Sequence, residues 1–118
     1  MRRWANTMTM PWKLICKQED LVEGAGVAAM LNGEQVAIFY VPESDNKIFA
    51  IGNWDPIGKA NVLSRGLVAH LQDQWVVASP LYKQHYELSS GQCLEEDIKV
   101  PHWQAKLEGG EVFIATHS

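Results

Sequence analysis

The fold is decided by a stretch of the chain, residues 27–41, that reads Val-Ala-Ala-Met-Leu-Asn-Gly-Glu-Gln-Val-Ala-Ile-Phe-Tyr-Val. Two apolar runs, Val27–Leu31 and Gln35–Val41, flank the dipeptide Asn32-Gly33. Asn and Gly both tolerate a positive φ, which a type I′ turn requires at its two central positions. The stretch therefore predicts a β-hairpin.

Short apolar runs separated by turn signals continue in both directions from this hairpin. Upstream, Trp12, Leu14 and Cys16 alternate with Lys13 and Lys17, which is the period of a strand with one wet face. Downstream, strands are predicted at Lys47–Ile51, Leu67–Leu71, Trp75–Ala78, Tyr86–Leu88, Gln92–Leu94, Trp103–Leu107 and Val112–Thr116. About nine or ten strands, roughly 8–12 residues apart, are typical of a small all-β sandwich or barrel. We expect one domain, residues 12–116, behind a flexible leader, residues 1–11.

Composition and charge exclude several function classes. The chain has 118 residues, 47% of them apolar, and a net charge of −4. Because there is no basic stripe, a nucleic-acid partner is not expected. The longest apolar run, Val36–Val41, is far shorter than the ~20 residues that a helix needs to span a bilayer. No apolar stretch follows the basic start Met1–Trp4, so we expect no secretion signal, no membrane association and a cytoplasmic protein.

Few residues have the spacing that catalysis or metal binding needs. The chain has two cysteines, Cys16 and Cys93, which form no Cys-x-x-Cys motif. Two thiolates cannot make a four-thiolate site, and both thiols are expected to be buried. The histidines, at positions 70, 85, 102 and 117, lack the spacing of zinc ligands. Three consecutive carboxylates at 95–97 are typical of a solvated loop. No stand-alone catalytic site is predicted.

Tryptophan is frequent, with five residues in the chain. Trp12, Trp75 and Trp103 lie in predicted strands, and we expect them in the core. Trp54 lies in an irregular stretch, residues 52–64, just before the turn sequence Asp55-Pro56. Two interpretations of Trp54 stay open: a plug packed on the sandwich, or an exposed anchor for a partner, since aromatic side chains dominate interface hot spots.

A second stretch, residues 79–93, carries a family resemblance. It reads SPLYKQHYELSSGQC and resembles the second cluster-binding loop of Rieske proteins, C-P-x-H-G-x-x-F-[DE]-x-x-x-G-x-C. The matching residues are Pro80, Tyr86, Glu87, Gly91 and Cys93. Asn53-Trp54-Asp55 then stands where these proteins carry their first loop, Cys-x-His. The resemblance implies a Rieske-like β-sandwich of short antiparallel strands with two former cluster-binding loops.

The departures from the Rieske pattern argue against its cluster. A Rieske [2Fe–2S] centre takes two cysteines on one iron and two histidines on the other. The four matching positions hold Asn53, Asp55, Ser79 and Tyr82. Oxygen and amide groups are poor ligands for sulfide-bridged iron, which prefers thiolates. We therefore expect no metal, no cofactor and no catalytic residue on this chain.

Further segments are similar to one cluster-free group of Rieske-like proteins, the small subunits of cytoplasmic NAD(P)H-dependent nitrite reductases. They are Trp12–Cys16, Gly26–Ala29, Glu34–Phe39, Asn53–Pro56, Val62–Leu67 and Ser79–Gln84. The resemblance implies an oxidoreductase subunit that supports reduction of nitrite to ammonium by a large subunit carrying FAD, an iron–sulfur cluster and sirohaem. The isolated chain is then expected to be inactive. A stand-alone Rieske-like binding or regulatory β-domain without a cluster is the alternative.

The two former cluster loops are the predicted partner surface, because in cluster-bearing relatives the tips of these loops face the redox partner. The candidate contacts are Trp54, Asp55 and Pro56 on the first loop, Tyr82, Lys83 and His85 on the second, and Arg65 as a further candidate. The alternative is that these side chains fill the space that a cluster takes in other members.

Overall fold

The structure of the protein, a computed structural model, describes residues 11–116. In this part of the chain the strands are β1 (Trp12–Lys17), β2 (Gly26–Leu31), β3 (Glu34–Tyr40), β4 (Ile48–Gly52), β5 (Trp54–Asp55), β6 (Ala60–Asn61), β7 (Leu67–Leu71), β8 (Gln74–Ala78), β9 (His85–Glu87), β10 (His102–Trp103), β11 (Ala105–Glu108) and β12 (Glu111–Ala115). Two short 3-10 helices, Gln18–Asp20 and Leu63–Arg65, follow β1 and β6. The all-β prediction is confirmed. The predicted leader lies outside the described residues, apart from Pro11.

The strands form antiparallel sheets around a central one. The central sheet has the order β10-β4-β3-β2, and the sheets β1-β12-β11 and β7-β8-β9 accompany it. A separate two-stranded ribbon pairs β5 with β6. The predicted hairpin joins β2 to β3, where Asn32 and Gly33 have φ values of 50° and 86°. These two positive values are those that a type I′ turn needs.

The middle strand β3 is buried on both faces. Ala37 and Phe39 belong to one apolar cluster, which also contains Val77 and Tyr86 of the β7-β8-β9 sheet. Val36 and Ile38 belong to a second cluster, which also contains Ile114 of β12 and its neighbours. A strand covered on both sides has no polar face, which explains why Val36–Val41 reads as one continuous apolar run.

The first strand departs from its predicted pattern. Trp12 and Leu14 were expected on the core side, but they are 36% and 50% exposed. The register between β1 and β12 shifts between Leu14 and Cys16, so a β-bulge interrupts the alternation, and Ile15 and Cys16 pack against the core together. The core prediction is therefore wrong for Trp12, whereas Trp75 and Trp103 are half-buried against the two clusters.

Two loops, one leaving the central sheet and one within the β7-β8-β9 sheet, carry the candidate site residues. The first loop, residues 53–66, leads from β4 to β7, and the second loop, residues 79–84, leads from β8 to β9. The predicted strand Gln92–Leu94 is reduced to isolated bridges of Gln92 to Lys99 and of Cys93 to Tyr86. Within residues 11–116, no helix has the length and apolar character to cross a membrane.

Candidate functional site

Asn53 fixes the start of the first loop. Its side chain is buried, with 1% of the residue exposed. The Nδ2 amide donates to Oε1 of Gln35 at 2.9 Å, and Oδ1 accepts the backbone N–H of Ser64 at 2.7 Å. Both ends of the amide are therefore used to tie the loop to β3 and to its own far end.

Asp55 is the centre of the site. It is fully buried, and its carboxylate accepts four hydrogen bonds. Oδ1 accepts the backbone N–H groups of Ile57 and Gly58 at 2.9 and 3.0 Å, which closes the Asp55-Pro56-Ile57-Gly58 turn. The remaining two donors come from the second loop and from β9. A buried carboxylate is tolerated here because every oxygen has partners.

The second loop is joined to the first through Ser79. Its Oγ donates to Oδ2 of Asp55 at 2.5 Å and accepts the backbone N–H of Leu81 at 3.3 Å. The backbone of Ser79 also closes the second loop, since its N–H donates to the carbonyl of Gln84 and its carbonyl accepts from Lys83. One hydrogen bond between two of the positions matched to the Rieske ligands thus joins the first loop to the second.

Tyr86 supplies the fourth hydrogen bond. Its hydroxyl lies 3.2 Å from Oδ1 of Asp55, at the floor of the site. Burial and the nearby Asp55 charge raise the pKa of Tyr86 above its ordinary value, so it stays a neutral donor. Burial alone would raise the pKa of Asp55, but the hydrogen bonds from Ser79, Gly58, Ile57 and Tyr86 outweigh it and lower the pKa. The site therefore contains a buried anion held by neutral donors.

Tyr86 and Gly58 belong to the site although sequence reasoning did not place them there. The sequence identifies Tyr86 only as a match to the family motif in residues 79–93, and the structure places it in β9. Gly58 lies so close to the second loop that a Cβ at this position would come within 2.4 Å of Leu81 Cδ1. This contact joins residues far apart in sequence, so no local pattern predicts it. The only local signal was that Gly58 ends the predicted turn Asp55-Pro56-Ile57-Gly58.

Most of the other residues predicted as partner contacts are exposed. Trp54 and Tyr82 are 49% and 65% exposed, and Arg65 and Lys83 are exposed as well. Trp54 and Pro56 line a groove of about 570 Å³ beside Met30 of β2. Trp54 is thus about half exposed, which favours the anchor interpretation over the plug.

His85 lies to one side, where it pairs with an acidic residue. Its Nδ1 is 2.6 Å from Oε2 of Glu95, and its backbone N–H donates to Oε1 at 2.8 Å. Burial would raise the pKa of Glu95, but the hydrogen bonds from the His85 backbone and side chain lower it. The predicted solvated loop at 95–97 is exposed, with Glu95 anchoring the start of β9.

The four residues that the sequence matches to the Rieske ligand positions do not fit a [2Fe–2S] cluster. Asn53, Asp55 and Ser79 have their polar atoms engaged in the hydrogen bonds above, and Tyr82 points into solvent with 65% of its surface exposed. No thiolate or imidazole stands among them. Cys93 is buried with its Sγ 3.7 Å from Glu95, and Cys16 lies on β1. Within residues 11–116, no three side chains of the His, Cys, Asp and Glu types group to hold a metal ion.

The chain is similar to a known protein family and to several of its members. The Rieske-like [2Fe-2S] domain family matches residues 11–115. The nitrite reductase (NADH) small subunit of Salmonella typhimurium is 50% identical over 102 residues, which cover 86% of this chain and 94% of that protein. The solution structure of the Escherichia coli protein NirD superposes with a TM-score of 0.82 at 44% identity, covering 93% of this chain and all of that one.

A third relative carries a similar stretch inside a much longer protein. The nitrite reductase [NAD(P)H] large subunit of Klebsiella oxytoca is 37% identical over 105 residues, which cover 88% of this chain and 11% of that protein. These similarities lead to one conclusion. The chain belongs to the Rieske-like [2Fe-2S] domain family, among the nitrite reductase (NADH) small subunits.

Proposed function

We propose that this chain is the small subunit of an NADH-dependent nitrite reductase, that it pairs with a large subunit and that it carries no redox centre of its own. The observation that carries the proposal is the 50% identity over nearly the whole length of a nitrite reductase small subunit. The stand-alone alternative has no comparable observation in its favour.

The chemistry belongs to the large subunit in this proposal. From the family resemblance, we expect that subunit to carry FAD, an iron–sulfur cluster and sirohaem and to pass electrons from NADH to nitrite, forming ammonium. The residues of this chain suit a docking role, because the hydrogen bond from Ser79 to the Asp55 carboxylate holds the two loops in a fixed relation to each other. The isolated chain is expected to be inactive, and the assembly is expected in the cytoplasm, where NADH is produced.

The loop tips are the proposed contact surface with the large subunit. The side chains that can take part directly are Trp54, Pro56, Arg65, Tyr82, Lys83 and the half-buried His85. Asp55 is fully buried, so we propose that it acts on the surface indirectly, by holding the loops in place. The Klebsiella large subunit supports a close association, since it contains a stretch similar to this chain.

The test compares the large subunit alone with the large subunit co-expressed with this chain. We expect co-purification and a gain in NADH-dependent nitrite reduction when both are present. The chain purified alone is then treated anaerobically with iron and sulfide. Stoichiometric iron with a Rieske visible spectrum would overturn the non-redox role, and failure of the two chains to associate would overturn the subunit assignment.

A further inference from the structure

A small pocket lies between the end of the first loop and the second loop. It has a volume of about 270 Å³, and Arg65, Leu67, Pro80 and Lys83 form its walls, with Ser79 beneath. Leu67 is 78% exposed, the largest exposure among the bulky apolar side chains of the described residues. The pocket therefore combines two cations with an apolar wall that is open to solvent.

The backbone around the pocket is tightly held. A Cβ on Gly66 would come within 2.3 Å of the carbonyl oxygen of Ala78, so β7 and β8 approach closely at this point. On the other side, Lys83 has a φ of 64°, and its N–H donates to the Ser79 carbonyl at 3.1 Å. A positive φ outside glycine persists only where the surroundings impose it. Arg65 and Lys83 are thus carried by a fixed backbone.

Charge is distributed unevenly over the molecule. The two loops, residues 53–66 and 79–84, contain Lys59, Arg65 and Lys83, all exposed, and one carboxylate, Asp55, which is fully buried. The whole chain has ten cations and fourteen carboxylates, so the rest of it carries seven cations, thirteen carboxylates and a charge of −6. The loop surface is therefore a cationic patch on an acidic molecule.

We propose that this pocket receives an acidic segment of the large subunit, with a carboxylate between the Arg65 guanidinium and the Lys83 ammonium groups and an apolar side chain against Leu67 and Pro80. This inference rests on the proposed function and adds the chemistry of the partner surface. Arg binds a carboxylate in a fixed fork, and Lys adds a mobile charge. Opposite charges on the two subunits steer their encounter, so association depends on salt.

The experiment measures binding of the chain to large subunit purified without it. The variants are Arg65→Glu, Lys83→Glu and the control Lys47→Glu. Lys47 is exposed and lies just before β4, whereas the first loop begins just after β4. The five residues of β4, ~16 Å of extended chain, therefore separate the control from the start of the first loop. We expect each loop variant to bind about 10-fold or more weakly at low salt, chiefly through slower association, and Lys47→Glu to bind like the wild type.

Two further measurements keep the inference testable if a charge reversal disturbs folding. Arg65→Gln and Lys83→Gln remove the charges without adding repulsion, and the wild-type chain itself should bind more weakly near 1 M salt, where the Debye length is about 3 Å. If the wild-type chain binds but the loop variants match Lys47→Glu and salt has no effect, the acidic partner segment is wrong. If the wild-type chain does not bind at all, the proposed function fails instead.

Discussion

Replacing Asp55 by Asn tests whether a buried carboxylate holds the two loops together. Asn has the same shape, and its carbonyl oxygen can still accept from the amides of Ile57 and Gly58 and from Tyr86. The amide NH2, however, replaces the oxygen that accepts the Ser79 hydroxyl proton. The substitution thus removes the negative charge and leaves the Ser79 hydroxyl proton without this acceptor, since the amide NH2 can only donate to Ser79 Oγ, while the volume is nearly unchanged.

The expected loss follows from the number of hydrogen bonds. A hydrogen bond to a charged group contributes about 1.5–3 kcal/mol and a neutral one about 0.5–1.5 kcal/mol, so each of the three retained bonds weakens by about 1 kcal/mol. Burying a neutral amide costs less desolvation free energy than burying a carboxylate, which offsets part of the loss. We expect Asp55→Asn to lower the free energy of unfolding at pH 7 by about 2–3 kcal/mol and the Tm by roughly 10 °C.

The pH dependence distinguishes this cause from a general packing defect. Because the pKa of Asp55 is lower in the folded state, its contribution is present above the unfolded-state pKa, about 3.9, and is lost as the pH falls through the folded-state pKa. The gap in unfolding free energy between wild type and Asp55→Asn should be constant from about pH 7 to pH 5 and close below about pH 4.

Urea unfolding followed by tryptophan fluorescence measures both proteins across this pH range. The control is Asp45→Asn, since Asp45 is exposed in the loop after β3 and its substitution should change stability by less than about 0.5 kcal/mol. If Asp55→Asn is as stable as wild type at pH 7, or if the gap persists unchanged at pH 3, the reasoning about the carboxylate is refuted.

Three further predictions concern the same region and the hairpin. Ser79→Ala deletes the bond between the loops and should cost about 1.5–3 kcal/mol, and combined with Asp55→Asn the loss should be less than additive in a double-mutant cycle; full additivity would show that the two side chains are not coupled. Gly66→Ala places a Cβ 2.3 Å from the Ala78 carbonyl oxygen, a backbone atom that cannot easily move away, and should lower the free energy of unfolding in urea by about 1–3 kcal/mol; an unchanged midpoint would contradict the close approach of Gly66 to β8. Gly33→Ala meets no atom within 4 Å, so its cost should come from the positive φ alone, about 1–2 kcal/mol, and a larger loss would mean that the turn is packed against something else.

Much of the architecture could be predicted from local sequence. Asn32-Gly33 predicts its turn because the conformations open to these two residues are a property of the residues themselves. The run Val36–Val41 predicts one strand of this hairpin, whereas its burial on both faces comes from the two apolar clusters on either side of β3. The β1 strand was predicted less well, because a bulge depends on how β12 pairs with it, and no local pattern records that pairing.

The sequence by itself determined the all-β fold class, since turn preferences and strand patterns depend mainly on residue type. The tertiary structure alone decided that Asp55 and Ser79 meet inside the molecule while Trp54 and Tyr82 face outward. A side chain in a loop has no period that predicts its direction. Its orientation is set by long-range hydrogen bonds and by sheets packing together, which bring the two loops into contact only once the chain has folded.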